Sequence, residues 1–416
     1  MEKTVYSHAF LVGSFNSNVR PQDLDTKIWK RQILKSKEYG DLLSDYYQSL
    51  VDSMAEAENQ KRPEFLQSVC HYVNEIDPES KQQFDIILTK GRNEIPYEYK
   101  MSLCKLHLYF FPNDIVLMSL EIDDRGVDLN LMTLGHSSLI NLKFPLTGND
   151  ELKEKMKPLL DLCLEHDLTS LVKDGNNLKI FQIVEVETES PEDDLLFEIG
   201  TFIPVGAVGG KDGYSPSKKY FDTIINDNSI SVFYNWKALA LVDSFTVLGV
   251  DNYNKWTWEN LYFPLIYLRC IFEKTFCFSR NSAYRLDKSV KNISQEITDM
   301  EKYYFYNNIS YNFLPELLYD SMVKGIGLKE EREEISKQIK EQVKEKEDNR
   351  QKRITFYLGA FAIFSVAWDL CSMFMKGFTA EKATFPARLT FIISIFAIII
   401  LIVYQTIYKG KWKKSK

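Results

Sequence analysis

The sequence predicts an α+β cytoplasmic domain, then a helical bundle with a long stalk helix, and last a C-terminal two-helix transmembrane hairpin. Three observations predict it. Two apolar runs close the chain: 354–375 is 22 residues with one charge, Asp369, and 389–407 is 19 residues with none. At about 1.5 Å per residue such helices span roughly 33 and 28 Å, against a bilayer core of about 30 Å. A charged stretch without glycine or proline, 328–353, leads into the first run. Ahead of both, β-rich segments are interspersed with apolar residues spaced three and four apart. The expected divisions are an α/β domain over 1–255, a helical bundle over 256–327, the stalk over 328–353, the hairpin over 354–408 and a basic tail over 409–416. The alternative to a membrane hairpin is a buried helical pair inside a large domain. Residues 391–403 disfavour it, because they hold no charged or amide side chain and a buried helix usually keeps one wet face.

In chain order, 4–12 reads as a strand. Residues 25–57 read as helix, with Ile28, Trp29, Ile33, Leu34, Leu42, Leu43, Tyr46, Leu50 and Met54 mostly three and four apart, and 63–76 reads as another. Residues 105–111 and 114–122 read as a β-hairpin through Pro112 and Asn113. Residues 150–166 read as helix, and strands are expected over 178–186, 195–203, 229–234 and 237–250. The apolar, aromatic stretch 261–278 contains Arg269, Glu273 and Lys274 and is interrupted by Pro264, so it reads as a buried core helix. Val290, Ile293, Ile297, Met300 and Tyr304 mark an amphipathic helix, and 314–323 a short one. In the stalk, Glu333–Lys337 and Asp348–Lys352 pair four apart, while Leu328, Ile335, Ile339 and Val343 are too sparse for a strong coiled coil. One continuous helix can run from 328 into the first apolar run. It is either a solvated spacer or a rod that carries movement.

The 416 residues carry a net charge of −7. That argues against a protein that coats nucleic acid, and no nucleic-acid partner is expected. Cys70, Cys104, Cys163, Cys270, Cys277 and Cys371 are scattered, with no zinc spacing, and read as free thiols in a reducing compartment. The start, MEKTVYSHAFLVG, has no long apolar core, so no signal peptide is expected. Five basic residues in 344–353 and five in the tail outnumber Lys376, Lys382 and Arg388 between the runs. This bias predicts a multi-pass protein of the inner membrane with both termini cytoplasmic.

Thr355, Gly359, Ala362, Ser365, Asp369, Ser372 and Lys376 recur at spacings of three and four, which places small and polar groups on one helix face. The stripe reads as pore lining; a helix-packing seam, or Asp369 paired with Lys376, is the alternative. Two helices cannot enclose a pore, so a pore requires a ring of copies, with Asp369 as a ring of carboxylates facing a metal ion. In the first domain, the loop 206–220 is glycine-rich and basic. Gly209, Gly210, Lys211, Ser217, Lys218 and Lys219 are candidate phosphate contacts, although Lys211 is followed by Asp212 and the loop is not a Walker motif. An ordinary surface loop is the alternative. His8, His71, His107, His136 and His166 show no metal spacing, and no GxSxG, HExxH, Cys–His or paired-carboxylate pattern is present, so no enzyme is expected.

This order of parts resembles the CorA-type divalent-cation channels. The family's Gly-Met-Asn after the first membrane helix is absent; Cys371-Ser-Met-Phe-Met-Lys-Gly377-Phe-Thr-Ala-Glu381 stands there. The chain is more similar to a divergent branch, the CorA-like membrane effectors associated with type III CRISPR systems. That resemblance implies a homo-oligomer, a pentamer, in contact with the lipid bilayer. It implies gating by a cytoplasmic nucleotide second messenger, an S-adenosylmethionine–AMP conjugate, and antiviral action by compromising the membrane. The other expectations are a CorA-like Mg²⁺ or divalent-metal transporter, and a membrane-anchored binding or enzymatic module.

Overall fold

Side chains alternate across a strand, so each strand sends one set of residues to each face of a sheet. In 115–124 (IVLMSLEIDD) both sets are apolar at first and turn polar on one face at Glu121 and Asp123. A strand of this kind belongs in the middle of a sheet covered on both sides. The computed structural model has that arrangement. It describes residues 4–16, 21, 24–32, 70–75, 83–88, 97–111, 115–140, 178–211, 213–250, 253–285, 296–298, 300, 309–310, 312–377, 389 and 393.

The strands are β1 Thr4–Asn16, β2 Lys30–Gln32, β3 Cys70–Glu75, β4 Gln83–Leu88, β5 Tyr97–Phe111, β6 Ile115–Asp124, β7 Lys179–Val186, β8 Ser229–Phe233, β9 Trp236–Ala240 and β10 Ser244–Gly249. They form one mixed sheet in the order β2-β3-β5-β6-β1-β7-β10-β9-β8, with β4 paired to β5. β7 and β10 run parallel, and β1 is antiparallel to both its neighbours. The helices are α1 Leu129–Ile140, α2 Asp193–Thr201, α3 Lys218–Asn228, α4 Lys255–Thr257, α5 Leu268–Arg285, α6 Phe313–Gly325 and α7 Leu328–Gly377, with a π-helix over Trp258–Tyr267 between α4 and α5.

The two faces are covered by different helices. On the first, Ala9, Leu11, Leu108, Met118 and Leu120 pack with Leu129 and Met132 of α1 and Leu196 and Ile199 of α2. A buried polar pin crosses this layer: His136 Nδ1 lies 2.8 Å from Gln182 Oε1, and Gln182 Nε2 donates to Thr246 Oγ1 at 2.8 Å. The second face is aromatic. Phe10 stacks on Phe263 at 3.9 Å and Phe111 on Phe272 at 4.4 Å. Tyr267 donates to the Ile180 carbonyl at 3.2 Å. Pro264 sits inside the π-helix. It has no N–H to give, and the wider turn accommodates that loss without ending the helix.

α6 approaches β9 closely at Gly325, where a Cβ would stand 2.6 Å from the Ala240 carbonyl oxygen. The obstacle is backbone and cannot swing aside. Gly325→Val is expected to destabilise the body by about 1–3 kcal/mol, read from the urea midpoint; an unchanged midpoint would show that α6 can lift off β9.

Several sequence expectations give way. Helices lie on both faces of one mixed sheet, so the body is layered α/β and not α+β. Among the described residues of 25–57, a turn and β2 replace the expected helix, and 70–75 is β3 although 63–76 reads as helical. The first assignment rested on apolar spacing; strand pairing overrides both, β2 with β3 and β3 with β5. The strand expected over 195–203 is helix α2, begun by Asp193 and Asp194 and closed at Phe202, whose φ is 59°. A short, mostly apolar run, with Glu198 its one charge, cannot be assigned by periodicity. The helix expected over 150–166 lies outside the described residues.

Contacts divide the chain into Met1–Ile335 and Ser336–Lys416. α7 is one helix of 50 residues. Among the described residues no helix is long and apolar enough to cross a membrane. The apolar run that begins at Ile354 carries the Asp369 carboxylate at its sixteenth position, and a carboxylate is costly inside a bilayer. The second run, 389–407, lies outside the described residues except for Leu389 and Ile393. The expected transmembrane hairpin, and with it the multi-pass placement in the inner membrane, is therefore not supported.

Candidate functional site

Polar residues on the aromatic face of the sheet meet in one row. Tyr6 and His8 share that face of β1 with Phe10, and cross-strand pairing sets Glu121 opposite Phe10 and His107 opposite Ser119. His71 comes from β3, opposite Tyr109. His71 Nε2 lies 3.0 Å from His107 Nδ1, and His107 Nε2 lies 2.8 Å from Glu121 Oε2. His8 then bridges two carboxylates, Nε2 to Glu121 Oε1 at 3.1 Å and Nδ1 to Glu259 Oε1 at 3.0 Å. The Tyr6 hydroxyl donates to Glu259, which stands in the first turn of the π-helix. One set of tautomers satisfies every link: His71 donates to His107, His107 to Glu121, and His8 on both nitrogens.

The electrostatics follow from that assignment. Burial opposes the His8 imidazolium, but the hydrogen bonds to Glu121 and Glu259 outweigh it and raise His8 to about 9. Burial likewise opposes the Glu121 carboxylate, and the bonds from His107 and His8 outweigh it and hold Glu121 well below the carboxylate range. Burial, with His107 beside it, keeps His71 well below the usual imidazole value. The row can fix charge and share protons.

Beyond Tyr6 the row meets two cations. Lys255 Nζ stands 4.4 Å from the centre of the Tyr6 ring and 5.6 Å from that of Tyr253, and it pairs with Glu185. Arg125 Cζ stands 5.6 Å from the Tyr6 ring, and an Arg125 nitrogen lies 3.5 Å from Asp123 Oδ2.

A second charged cluster holds the root of α7. Glu273 of α5 is 0% exposed. It accepts from Arg269 Nε at 2.9 Å, and it pairs with Arg332 in the second turn of α7. Arg332 also reaches the Tyr319 hydroxyl of α6 at 2.6 Å. Beside it, Lys274 donates to the Gly327 carbonyl at 3.1 Å, and Asn281 Nδ2 donates to Glu331 at 2.9 Å. Burial pushes the thiols of Cys270 and Cys277 far up, so both are unreactive. Glu259 and Glu273 lie on one unbroken helical run, 255–285, about 20 Å apart along it.

The sequence-predicted loop lies elsewhere. Gly209, Gly210 and Lys211 are exposed, as are Ser217, Lys218 and Lys219 at the start of α3. Ser217 Oγ accepts from the Tyr220 amide at 3.3 Å as the helix cap. The loop's inner amides already hold an anion: Gly206 N and Val208 N donate to the Glu198 carboxylate at 2.9 and 2.8 Å. Of the stripe, Thr355, Gly359, Ser365 and Asp369 are exposed on α7, alongside exposed Tyr357, Leu358, Phe361 and Trp368. Ala362 is exposed too, and Ser372 Oγ donates to the Asp369 carbonyl at 2.9 Å. Lys376 lies in α7, and its side chain is outside the described residues. Among the described residues no group of three or more His, Cys, Asp or Glu is placed to hold a metal ion.

Sequence reasoning missed the row and the root. His8 and His107 read as lone histidines, and only strand alternation marked them, as polar positions among Tyr6, Phe10 and Tyr109 on one face. No family model, curated protein or solved structure matches the chain.

Proposed function

We propose that the chain is a ligand-responsive regulator that acts by binding and not by catalysis. The sheet body takes a small nucleotide, and the helical run 255–285 passes the change to α7. The observation that carries this reading is the Glu273–Arg332 pair. It ties the start of a 50-residue helix to the same run that closes the polar row at Glu259. Through this pair the first two turns of α7, up to Ile335, belong to the body.

The ligand class comes from the resemblance to second-messenger effectors, whose messenger is an S-adenosylmethionine–AMP conjugate. The same reading has the chain working as a homo-oligomer. Moving a two-state equilibrium from 1:99 to 99:1 takes about 5.5 kcal/mol of differential binding, which several copies can share.

Thermal unfolding of the full chain tests the reading. The conjugate, ATP and Mg²⁺ are each added alone. A nucleotide at 100 times its Kd stabilises by about 2.7 kcal/mol and raises Tm, while Mg²⁺ alone leaves it in place. A shift with Mg²⁺ and none with either nucleotide would overturn the proposal in favour of metal binding.

A further inference from the structure

The edge of a sheet presents unpaired N–H and C=O groups that another strand can take up. β8 closes one side of this sheet: among the described residues it pairs with β9 alone. Folded chains guard such edges with charges, prolines, bulges or a covering segment. Residues 228–236 hold neither charge nor proline, and Ser231, Val232 and Phe233 of β8 are exposed. The pairing with β9 does bulge between Ile230 and Phe233, which leaves the outer side of the strand uncovered.

The hairpin end of this edge is aromatic. Phe233 is 51% exposed and Tyr234 83%, although Phe233 rests against Trp236 with ring centres 5.9 Å apart. Trp256 stands half-exposed at the same end, because Trp258, two residues on, meets Trp236 at 5.0 Å. At the other end of β9, Val242 in the turn to β10 is exposed as well. Exposed aromatic side chains are frequent anchors of protein interfaces.

We propose that the free edge of β8 joins two copies of this chain, paired antiparallel about a two-fold axis through the middle of the strand. Two features favour a second copy over a foreign strand. The axis sets the aromatic end of each β8 beside the Val242 end of the other copy, so apolar surface meets apolar surface twice. The strip is also uncharged on a chain of net charge −7. Two copies meet there without mutual repulsion, while a foreign peptide finds no charge to select it. This gives the homo-oligomer of the proposed function one interface, and it needs no ligand.

Sedimentation velocity of the full chain over a range of concentrations tests it. The wild type is expected to form pairs. Val232→Lys and Phe233→Lys each bring like charges together across the axis and are expected to weaken pairing about 10- to 100-fold. Both side chains are exposed, so far-ultraviolet circular dichroism of the variants is expected to match the wild type. Ile28→Lys, at an exposed position beside β2 on the far side of the sheet, is expected to pair as the wild type does. A wild type that stays a single chain at every concentration would overturn the edge and the homo-oligomer together. An assembly that both edge variants leave intact would overturn the edge alone.

Discussion

Glu273→Ala is expected to lower the stability of the body by about 3–5 kcal/mol, a large share of the roughly 5–15 kcal/mol that keeps a domain folded. Glu273 is wholly buried between Arg269 and Arg332. Truncation leaves Arg269, itself buried, without its counter-charge, and the unpaired charge dominates the loss. Arg332→Met is expected to be milder, since Glu273 keeps Arg269 and the methionine retains apolar contact. Urea unfolding followed by circular dichroism measures both. Glu273→Ala within 1 kcal/mol of wild type would mean that water reaches the pair.

Stability is expected to peak near pH 6.5 and to fall on either side. His8 is raised to about 9 in the folded chain, against about 6.5 when unfolded. Its contribution is complete below about pH 6.5 and is lost as pH rises through 9, about 3 kcal/mol in all. On the acid side the sign reverses. Burial holds His136 down to about 4 and keeps His71 well below its ordinary value, so the unfolded chain binds those protons first and stability falls below pH 6.5. The Glu121 contribution, present above the ordinary carboxylate range, is lost at still lower pH. Tm measured from pH 5 to 9 checks this, with His8→Gln as the diagnostic variant. It is expected to flatten the limb between pH 6.5 and 9 and leave the acid limb in place. An alkaline limb that survives in His8→Gln would assign it to another group.

What was legible in the sequence was local. The β5–β6 pair could be read from two short alternating runs around Pro112 and Asn113, and the helix containing Pro264 from its apolar density and embedded charges. The path from Leu328 into the apolar run could be read because neither glycine nor proline occurs in 328–353, and α7 is one helix. What could not be read depends on partners far away in sequence. Residues 195–203 are as apolar as a buried strand, and only packing on β9 and β10 makes them a helix. His8, Glu121 and Glu259 are 113 and 138 residues apart in sequence, and no spacing rule joins them. The loop drew attention through its glycines, but its inner amides are taken by Glu198, a residue with no sequence sign of that role. The apolar run after Arg353 invited a membrane reading on composition alone.

Hydrogen exchange on the full chain, with and without saturating S-adenosylmethionine–AMP conjugate, tests the coupling most directly. Transmission through Glu273 and Arg332 predicts altered exchange over Trp258–Tyr267 and over the first turns of α7, 328–335. In Arg332→Met the first change should persist and the second disappear. Saturated binding that leaves 328–335 exchanging as in the free chain would contradict the coupling of the body to the long helix.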